Sequence, residues 1–587
     1  MKRADMTDDT PRPVLKARPL APAVRTALQA SVPILTAGAL VLLLLPSYWV
    51  FLMTAVFIIG IALQSIGLVT GRAGMISLCQ MSFAAVGAWV TGWLNVADAP
   101  GGLLVWVLIG GLTAVPIGIA VGLPALRLRG INLAIVTLGF AAAFDTILAT
   151  ITFPGQTRFI QVQRPDLFAS DQGYFVLVLL VYTVIAVVLA LLNQSRLGAS
   201  WGQLRHSERA AAAHGVGIPA AKLTAFAISA FVAGVSGGLL AGYLGTLLSD
   251  NFNMMQSLVL FAVAMMVGAH FGTGALIGGV LVALFPELLR RLGLPQDLGT
   301  VIFAVGAVQA LSTGESISET LARVFGRRRR AAPVGAQGET KLPAKAEHGA
   351  GEALRIKDLT VRYGAVVALQ AVNLSLPAGR VVGLIGPNGA GKSTMVDAIA
   401  GFLPAYDGAV ALARQPLEGV SATARARAGI RRTWQTTRIA PELTVEAYIR
   451  LAARDLNAAE VAAVLDWWGC PPPGTLIASV DAGTRRLLDV AAVVAARPPV
   501  VLLDEPAAGQ SYDEALKLAE RIRAIPDTFG SAVLLIEHDM DLVRHACSEV
   551  TVIDFGKVIA TGAPQDVLSM PVVQKAYLGE DIEGDAA

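Results

Sequence analysis

The stretch RVVGLIGPNGAGKST, Arg380 to Thr394, decides how the second half of this 587-residue chain folds. An apolar β-branched run, RVVGLIG, breaks into GPNGAGKST and then into the apolar-periodic segment MVDAIAGFL. Strand, glycine loop and helix in that order form the context in which such a loop holds phosphate. Gly386, Gly389 and Gly391 let the backbone curl so that successive N–H groups face one anion. The helix that follows adds its positive N-terminus. Asn388 and Ala390 complete the loop, and Thr394 closes it. Lys392 is placed to reach the terminal phosphates and the Ser393 hydroxyl to reach Mg²⁺. The pattern predicts an α/β domain that binds a nucleoside triphosphate.

A second stretch, PVVLLDEP, supplies the other half of that chemistry. Val500 to Leu503 reads as a strand buried on both faces. Asp504 emerges at its end, placed to hold hydrated Mg²⁺. Glu505, one residue on, is placed to accept a proton from an attacking water. Alone, two such carboxylates are a solvated strand end; beside the loop at 386 they read as the rest of a phosphate-transfer site. A third run, SAVLLIEH, ends another buried strand at His538.

Working outward, the chain divides sharply. Hydrophobic residues make up 54% of it and charged residues only 15%, against about 25% charged in soluble domains. Residues 31–315 are apolar in long blocks, while the rest has the charge density of a soluble domain. A span needs roughly twenty apolar residues. The blocks 31–46, 50–70, 74–96, 102–124, 131–152, 174–192, 222–247, 255–270, 274–287 and 298–313 predict about ten spans. The first thirty residues carry Lys2, Arg3, Lys16, Arg18 and Arg25 without a cleavage site, and read as a cytoplasmic tail. The run Arg327–Arg330 reads as cytoplasmic too, so the span number is even. Arg127, Arg129, Arg196, Arg205 and Arg209 then fall inside, while Arg290 and Arg291 fall outside, against the rule. Residues 316–353 are rich in Ala, Gly, Pro and charge and read as a linker; 354–587 is the soluble domain. A net charge of +3 calls for no nucleic acid. Cys79, Cys470 and Cys547 have no metal-ligand spacing.

Glycine recurs in GLVTGRAG, VGAHFGTGALIGG and VAGVSGGLLAGYLG. Close helix packing explains this, and so do broken helices along a solute path. Gln80 and Asp145 are polar at membrane depth and either line that path or make structural hydrogen bonds. The segment 195–223 is polar and helix-prone. It is either a surface loop helix or a docking helix for a soluble partner.

With these motifs in place, the soluble half resembles the ATP-binding cassette superfamily. Tyr363 in VRYGAV resembles the aromatic that stacks on adenine. RRTWQ resembles the loop whose Gln435 senses Mg²⁺ and meets the membrane subunit. AAGQ, after Glu505, takes the dimer-loop position, and the resemblance puts His538 against the γ-phosphate. LLIEHDMDLV and AYLGE resemble ATPases of branched-chain amino acid importers. LRLRGINLAIVTLGF and SERAAAAHGVGIPAAKL resemble their permeases. The resemblance implies ATP-driven uptake of a small polar solute, chiefly aliphatic amino acids, across a bacterial inner membrane, with both termini cytoplasmic. Relatives carry urea, amides or small organic acids. The implied assembly has two permeases, two ATPases, a periplasmic solute-binding protein and membrane lipid around it. The segment 205–217, with Glu208, Ala212 and Gly215, becomes the coupling helix near Gln435. Two departures stand out: Cys79 and Gln80 replace a Gly-His pair, and only about forty-five residues separate Gln435 from the next motif. A homodimeric half-transporter exporter, with about six spans, is the rival reading; a tethered regulatory ATPase that moves no solute is another.

That next motif is VDAGTRRLLDV, Val480 to Val490, at the signature position. Gly483 is kept, but Asp481 replaces a serine that donates to a neighbour's γ-phosphate, and Thr484 replaces a glutamine. Two charges about 4 Å apart at an effective dielectric near 20 cost roughly 4 kcal/mol. Either the carboxylate repels ATP, unless Arg485, Arg486 or protonation relieves it, or Asp481 caps the helix starting near Thr484. Under the first reading the partner is a second ATPase with an intact signature.

Overall fold

The computed structural model describes residues 22–270, 272–295, 297–313, 316–318, 320 and 341–578. The basic residues before Pro22, the run Arg327–Arg330 and the AYLGE glutamate lie outside them. The first half is helical: α1 (Pro22–Leu44), α2 (Ser47–Ile66), α3 (Gln80–Val96), α4 (Gly102–Gly122), α5 (Ile131–Thr150), α6 (Asp171–Gln194), α7 (Arg196–His206), α8 (Glu208–Ala213), α9 (Ile218–Leu244), α10 (Met254–Val267), α11 (Gly272–Arg291) and α12 (Asp297–Thr313).

Each of the ten apolar blocks becomes a helix, but among the described residues eight helices are long and apolar enough to cross a membrane. Two fall short: α3 and α12 are 17 residues each. The count of about ten is corrected to eight candidate spans on this criterion. Helix α1 begins at Pro22, inside the segment read as tail. Arg25 is exposed in the helix's first described turn.

The glycine runs act by close packing. A Cβ at Gly237 of α9 would lie 1.8 Å from the Ala84 carbonyl oxygen of α3, and one at Gly87 would lie 2.0 Å from that of Gly234. A Cβ at Gly67, in GLVTGRAG, would meet the Ala269 oxygen at 2.1 Å, so two of the runs press on each other. Backbones this close exchange dispersion along the whole contact. The charge of the out-of-place pair Arg290 and Arg291 is partly offset locally: both bond Glu287, at 2.6 and 2.9 Å, and Arg291 stacks on Trp49.

The second half carries two sheets. The smaller, β2–β1–β4–β5, joins β1 (Glu352–Tyr363), β2 (Val366–Pro377), β4 (Asp407–Leu412) and β5 (Gln415–Pro416). The larger has the order β10–β9–β3–β8–β7–β6, with β3 (Val381–Ile385), β6 (Ile430–Arg432), β7 (Val500–Asp504), β8 (Ala532–Ile536), β9 (Glu549–Asp554) and β10 (Lys557–Gly562). Strands β3, β8, β7 and β6 run parallel. All four are buried at every residue, as the unbroken apolar runs of β3, β7 and β8 require. Because β8 lies between β3 and β7, the carboxyl ends of all three meet along one edge, where open α/β sheets hold ligands. The end of the segment read as linker is pinned to this domain. The Ala346 N–H donates to Phe529 O (3.2 Å) and Arg497 to Ala344 O (2.9 Å).

Substituting Gly237→Ala should force α9 off α3 and lower stability by about 1–3 kcal/mol, as overpacking does. Thermal unfolding in detergent checks this; an unchanged midpoint contradicts the packing role.

Candidate nucleotide-binding site

The glycine loop leaves β3 and enters helix α13 (Lys392–Ala400). A Cβ at Gly386 would meet the Ile553 oxygen at 2.0 Å, and Gly391 takes φ 105° at the helix N-cap. Both positions therefore require glycine. Ala390 is buried beneath the loop, while Asn388, Gly389 and Ser393 are exposed at its mouth and Thr394 is half-buried. The Lys392 ammonium folds over the loop onto the carbonyls of Gly386 (2.6 Å) and Pro387 (2.8 Å). Burial pulls its pKa down; Glu505 and Asp504 oppose that.

Asp504 ends β7 with its N–H donating to Thr433 Oγ1 at 3.0 Å. Its carboxylate lies 3.3 Å from Arg432, which also pairs with Asp397 of α13. Burial raises the Asp504 pKa, and Arg432 works against it. Arg432 is itself buried and lies over the Trp434 ring at 4.1 Å. Sequence reasoning left Arg432 without a role, although it sits three residues before Gln435. Glu505 has a left-handed φ of 47°, and its Oε2 accepts from Gln435 Nε2 at 2.9 Å. The two residues expected on the attacking water and on Mg²⁺ therefore touch. Tyr363, at the end of β1, and His538 are exposed. Next to His538, buried Glu537 accepts the N–H groups of Ala507 (3.0 Å) and His538 (3.2 Å), which fixes the AAGQ loop. Glu537 is another residue the sequence reading passed over; a buried acid in LLIEH was its only signal.

Among the described residues no three His, Cys, Asp or Glu side chains gather into a metal cluster. The donors present are a hydroxyl (Ser393), a carboxylate (Asp504) and an amide (Gln435). That sparse set of hard oxygens fits Mg²⁺, which keeps its waters and shares phosphate oxygens.

Asp481 is the N-cap of helix α17, counted after α14 (Ala422–Ala428), α15 (Val445–Ala452) and α16 (Ala458–Trp468); α17 spans Ala482–Ala495. Its Oδ1 accepts the Thr484 N–H at 2.9 Å, the capping alternative. Gly483 and Thr484 form the first turn. These backbone donors hold the Asp481 carboxyl below its ordinary range, so the residue is ionised at neutral pH. Neither arginine expected to relieve it bonds it. Arg485 donates to Ile477 O and Ala478 O (both 3.1 Å). Arg486 reaches Ala508 O and Gln435 O (the latter 2.7 Å), tying the signature helix to the dimer loop and the glutamine loop.

The segment 205–217 packs on this domain beside Gln435. Ser207 caps α8, and Ala210 and Ala213 pack with Trp434 and Phe402. Three arginines donate to its carbonyls: Arg431 to Ala213 O (3.2 Å), and Arg427 (2.9 Å) and Arg454 (3.1 Å) to Gly215 O. Ala212 is buried, its carbonyl accepting the Gly215 N–H at 2.8 Å. Glu208 corrects the expectation: it pairs with Lys222 at 2.8 Å and with Arg129, both in the helical half, rather than with the ATPase half. A buried chain absent from the sequence reading completes the joint. His214 Nε2 lies 2.9 Å from the Tyr448 hydroxyl, which donates to Asp489 of α17 at 2.6 Å. Burial, with Arg431 close by, pushes His214 down to about 3, and burial lifts Asp489 to about 6.

In the helical half, buried Gln80 donates to Ser229 Oγ (3.0 Å) and Ser77 Oγ (3.4 Å). Half-buried Asp145 accepts the Met254 N–H at 3.3 Å, at the start of α10. The structure makes both hydrogen-bonding links between helices.

Asp489 supplies a pH test. Its folded-state pKa near 6 lies above its ordinary 3.8. The folded protein therefore holds this proton more tightly, and the group favours folding at low pH and loses that contribution as pH rises through about 6. Asp489→Asn, which does not titrate, should gain in unfolding temperature relative to the unaltered chain between pH 4 and pH 7. A difference that stays constant over that range refutes the assignment.

Comparison with known families places both halves. Residues 48–308 match the family described as branched-chain amino acid transport system permease component, residues 369–508 the ABC transporter family, and residues 557–583 the branched-chain amino acid ATP-binding cassette transporter family. The chain is 34% identical over 249 residues to the high-affinity branched-chain amino acid transport ATP-binding protein BraF of Pseudomonas aeruginosa, covering 39% of this chain and 98% of that protein. It is 33% identical over 249 residues to LivG of Escherichia coli K12, with the same coverage. A crystal structure of a nucleotide-free ATP-binding cassette aligns with 39% of this chain and 100% of its own, at 26% identity and TM-score 0.36. With the phosphate loop, the glutamine loop and the docked coupling segment on one polypeptide, the chain belongs to the ATP-binding cassette transporters of the branched-chain amino acid type, a permease domain fused to its ATPase domain.

Proposed function

We propose that this chain is one permease–ATPase subunit of a heteromeric importer that moves branched-chain or other aliphatic amino acids across a bacterial inner membrane. The names of its relatives support the solute class. The observation that carries the reading is the gripped segment 205–217: permease backbone at Ala213 and Gly215 is held by Arg431 of strand β6, Arg427 of helix α14 and Arg454 in the turn after α15. A shift in the nucleotide domain therefore pulls on the permease directly. An even number of spans, eight by length, keeps the basic N-terminal segment on the ATPase side. A periplasmic binding protein, a second permease and a second ATPase complete the assembly.

In this reading the backbone N–H groups of Gly386–Thr394 hold the phosphates of ATP, and Lys392 swings from its own loop carbonyls onto them. Tyr363 meets the adenine. Mg²⁺, held by Ser393, Asp504 and Gln435, supplies charge neutralisation for the departing phosphate. Glu505 leaves Gln435 to take the proton of the attacking water, with His538 beside the γ-phosphate. The second site of the dimer is closed by Asp481, whose charge faces the phosphates even while it caps α17. That asymmetry supports a partner ATPase with an intact signature, and a homodimeric exporter would carry the fault twice.

Two substitutions test this in vesicles reconstituted with the partner subunits. Glu505→Gln should keep ATP binding and lower hydrolysis by about 10²-fold or more, and Lys392→Ala should abolish ATP-dependent amino acid accumulation. Accumulation that survives Lys392→Ala ends the proposal. Serine caps a helix as aspartate does, so Asp481→Ser removes charge and keeps the cap. Because the site is exposed and screened, turnover should rise by up to about fivefold; an unchanged or lower rate refutes the repulsion.

A further inference from the structure

A cavity of about 420 Å³ opens where the permease meets the ATPase. It lies among the turn Leu128–Gly130, the coupling segment and Arg438. Five cations line it, Arg129, Arg205, Arg209, Lys222 and Arg438, against one carboxylate, Glu208. That carboxylate is already shared by Arg129 and by Lys222, whose side chain is 2% exposed at the floor. The others are weakly matched: Arg205 stands 3.8 Å from Glu442 and Arg209 3.8 Å from Asp397. Arg438 stacks on Trp434 and has no acidic partner among the described residues. Helix α5 starts here at Gly130 with no side-chain cap, adding its positive end. Nothing in the nucleotide site uses these groups, and the LRLRG turn has no other role there.

We propose that this cavity binds a phosphate-type oxyanion. Guanidinium groups match phosphate oxygens in paired hydrogen bonds, and the volume admits a phosphate with a short glycerol stem. The turn joins two spanning helices, α4 and α5, and Lys222 lies in the first turns of a third, so the cavity sits where spans end on the ATPase side. There, the anion comes from an acidic lipid headgroup or from soluble phosphate. An occupant would join the α4–α5 turn to the coupling segment and to Arg438, three residues past Gln435, stiffening the joint through which the two halves communicate.

The full chain in detergent, with its nucleotide loop saturated by ADP, is titrated with short-chain phosphatidylglycerol, short-chain phosphatidylcholine and inorganic phosphate while thermal unfolding is followed. A saturable rise with phosphatidylglycerol but not phosphatidylcholine assigns a lipid headgroup; a rise with inorganic phosphate assigns the soluble anion. Either response should weaken at least tenfold in apparent affinity in Arg129→Gln and by less in Arg129→Lys, which keeps the charge without the paired hydrogen bonds, while the ADP-induced shift stays the same in both. No response to either anion, or an equal response in Arg129→Gln, overturns the site.

Discussion

The whole arrangement depends on how the backbone of residues 213–216 is held. Carbonyl groups at the end of a short helix have no partners within it, and here they protrude from the permease toward the ATPase. Arg431, Arg427 and Arg454 supply those partners from three separate places in the nucleotide domain. Thr423 adds a bond to Val216 O at 3.3 Å. Hydrogen bonds from charged donors are about twice as strong as neutral ones, and these are largely removed from water. The permease segment is thus fixed to the strand that leads into Gln435 and to the segments on either side of it.

The same joint reaches the signature helix by a second route. His214, Tyr448 and Asp489 form a buried chain across three elements. His214 stays neutral because burial disfavours its charge, so it serves as a fixed hydrogen-bond partner rather than a charge. Arg486, one turn before Asp489 on α17, bonds both the dimer loop and the glutamine loop. A continuous chain of hydrogen bonds therefore runs from the docked segment through α17 to the loops at Ala508 and Gln435.

At the nucleotide edge, Arg432 organises the acids. It stands between Asp397 of the loop helix and Asp504 at the end of β7, shielded by aromatic rings. Two carboxylates brought close in a buried place repel each other, and the guanidinium between them offsets that repulsion. Glu505 is kept apart by its left-handed backbone and its bond to Gln435. Asp481 is different in kind: it is exposed and keeps its charge, and its cap bond lowers its pKa instead of neutralising it.

What the sequence by itself determined was whatever depends on local order along the chain. The glycine loop, the strand ending in Asp504 and Glu505, the apolar blocks and the coupling segment were all legible because spacing, turn chemistry and burial period are written in neighbouring residues. Asp481 was left between two roles because its cap is local, whereas any effect of its charge on a neighbour is not. The tertiary structure alone decided what depends on distant residues meeting. Strand β8 had to fall between β3 and β7 for the motifs to share an edge, and Arg432 had to find Asp397 and Asp504. Glu208 turned inward to Lys222 and Arg129, since a buried ammonium needs a carboxylate more than an exposed interface does. Helix length was also settled there: α3 is 17 residues, Gln80–Val96, shorter than the apolar block 74–96, because the backbone of 74–79 is not helical, which hydropathy does not register.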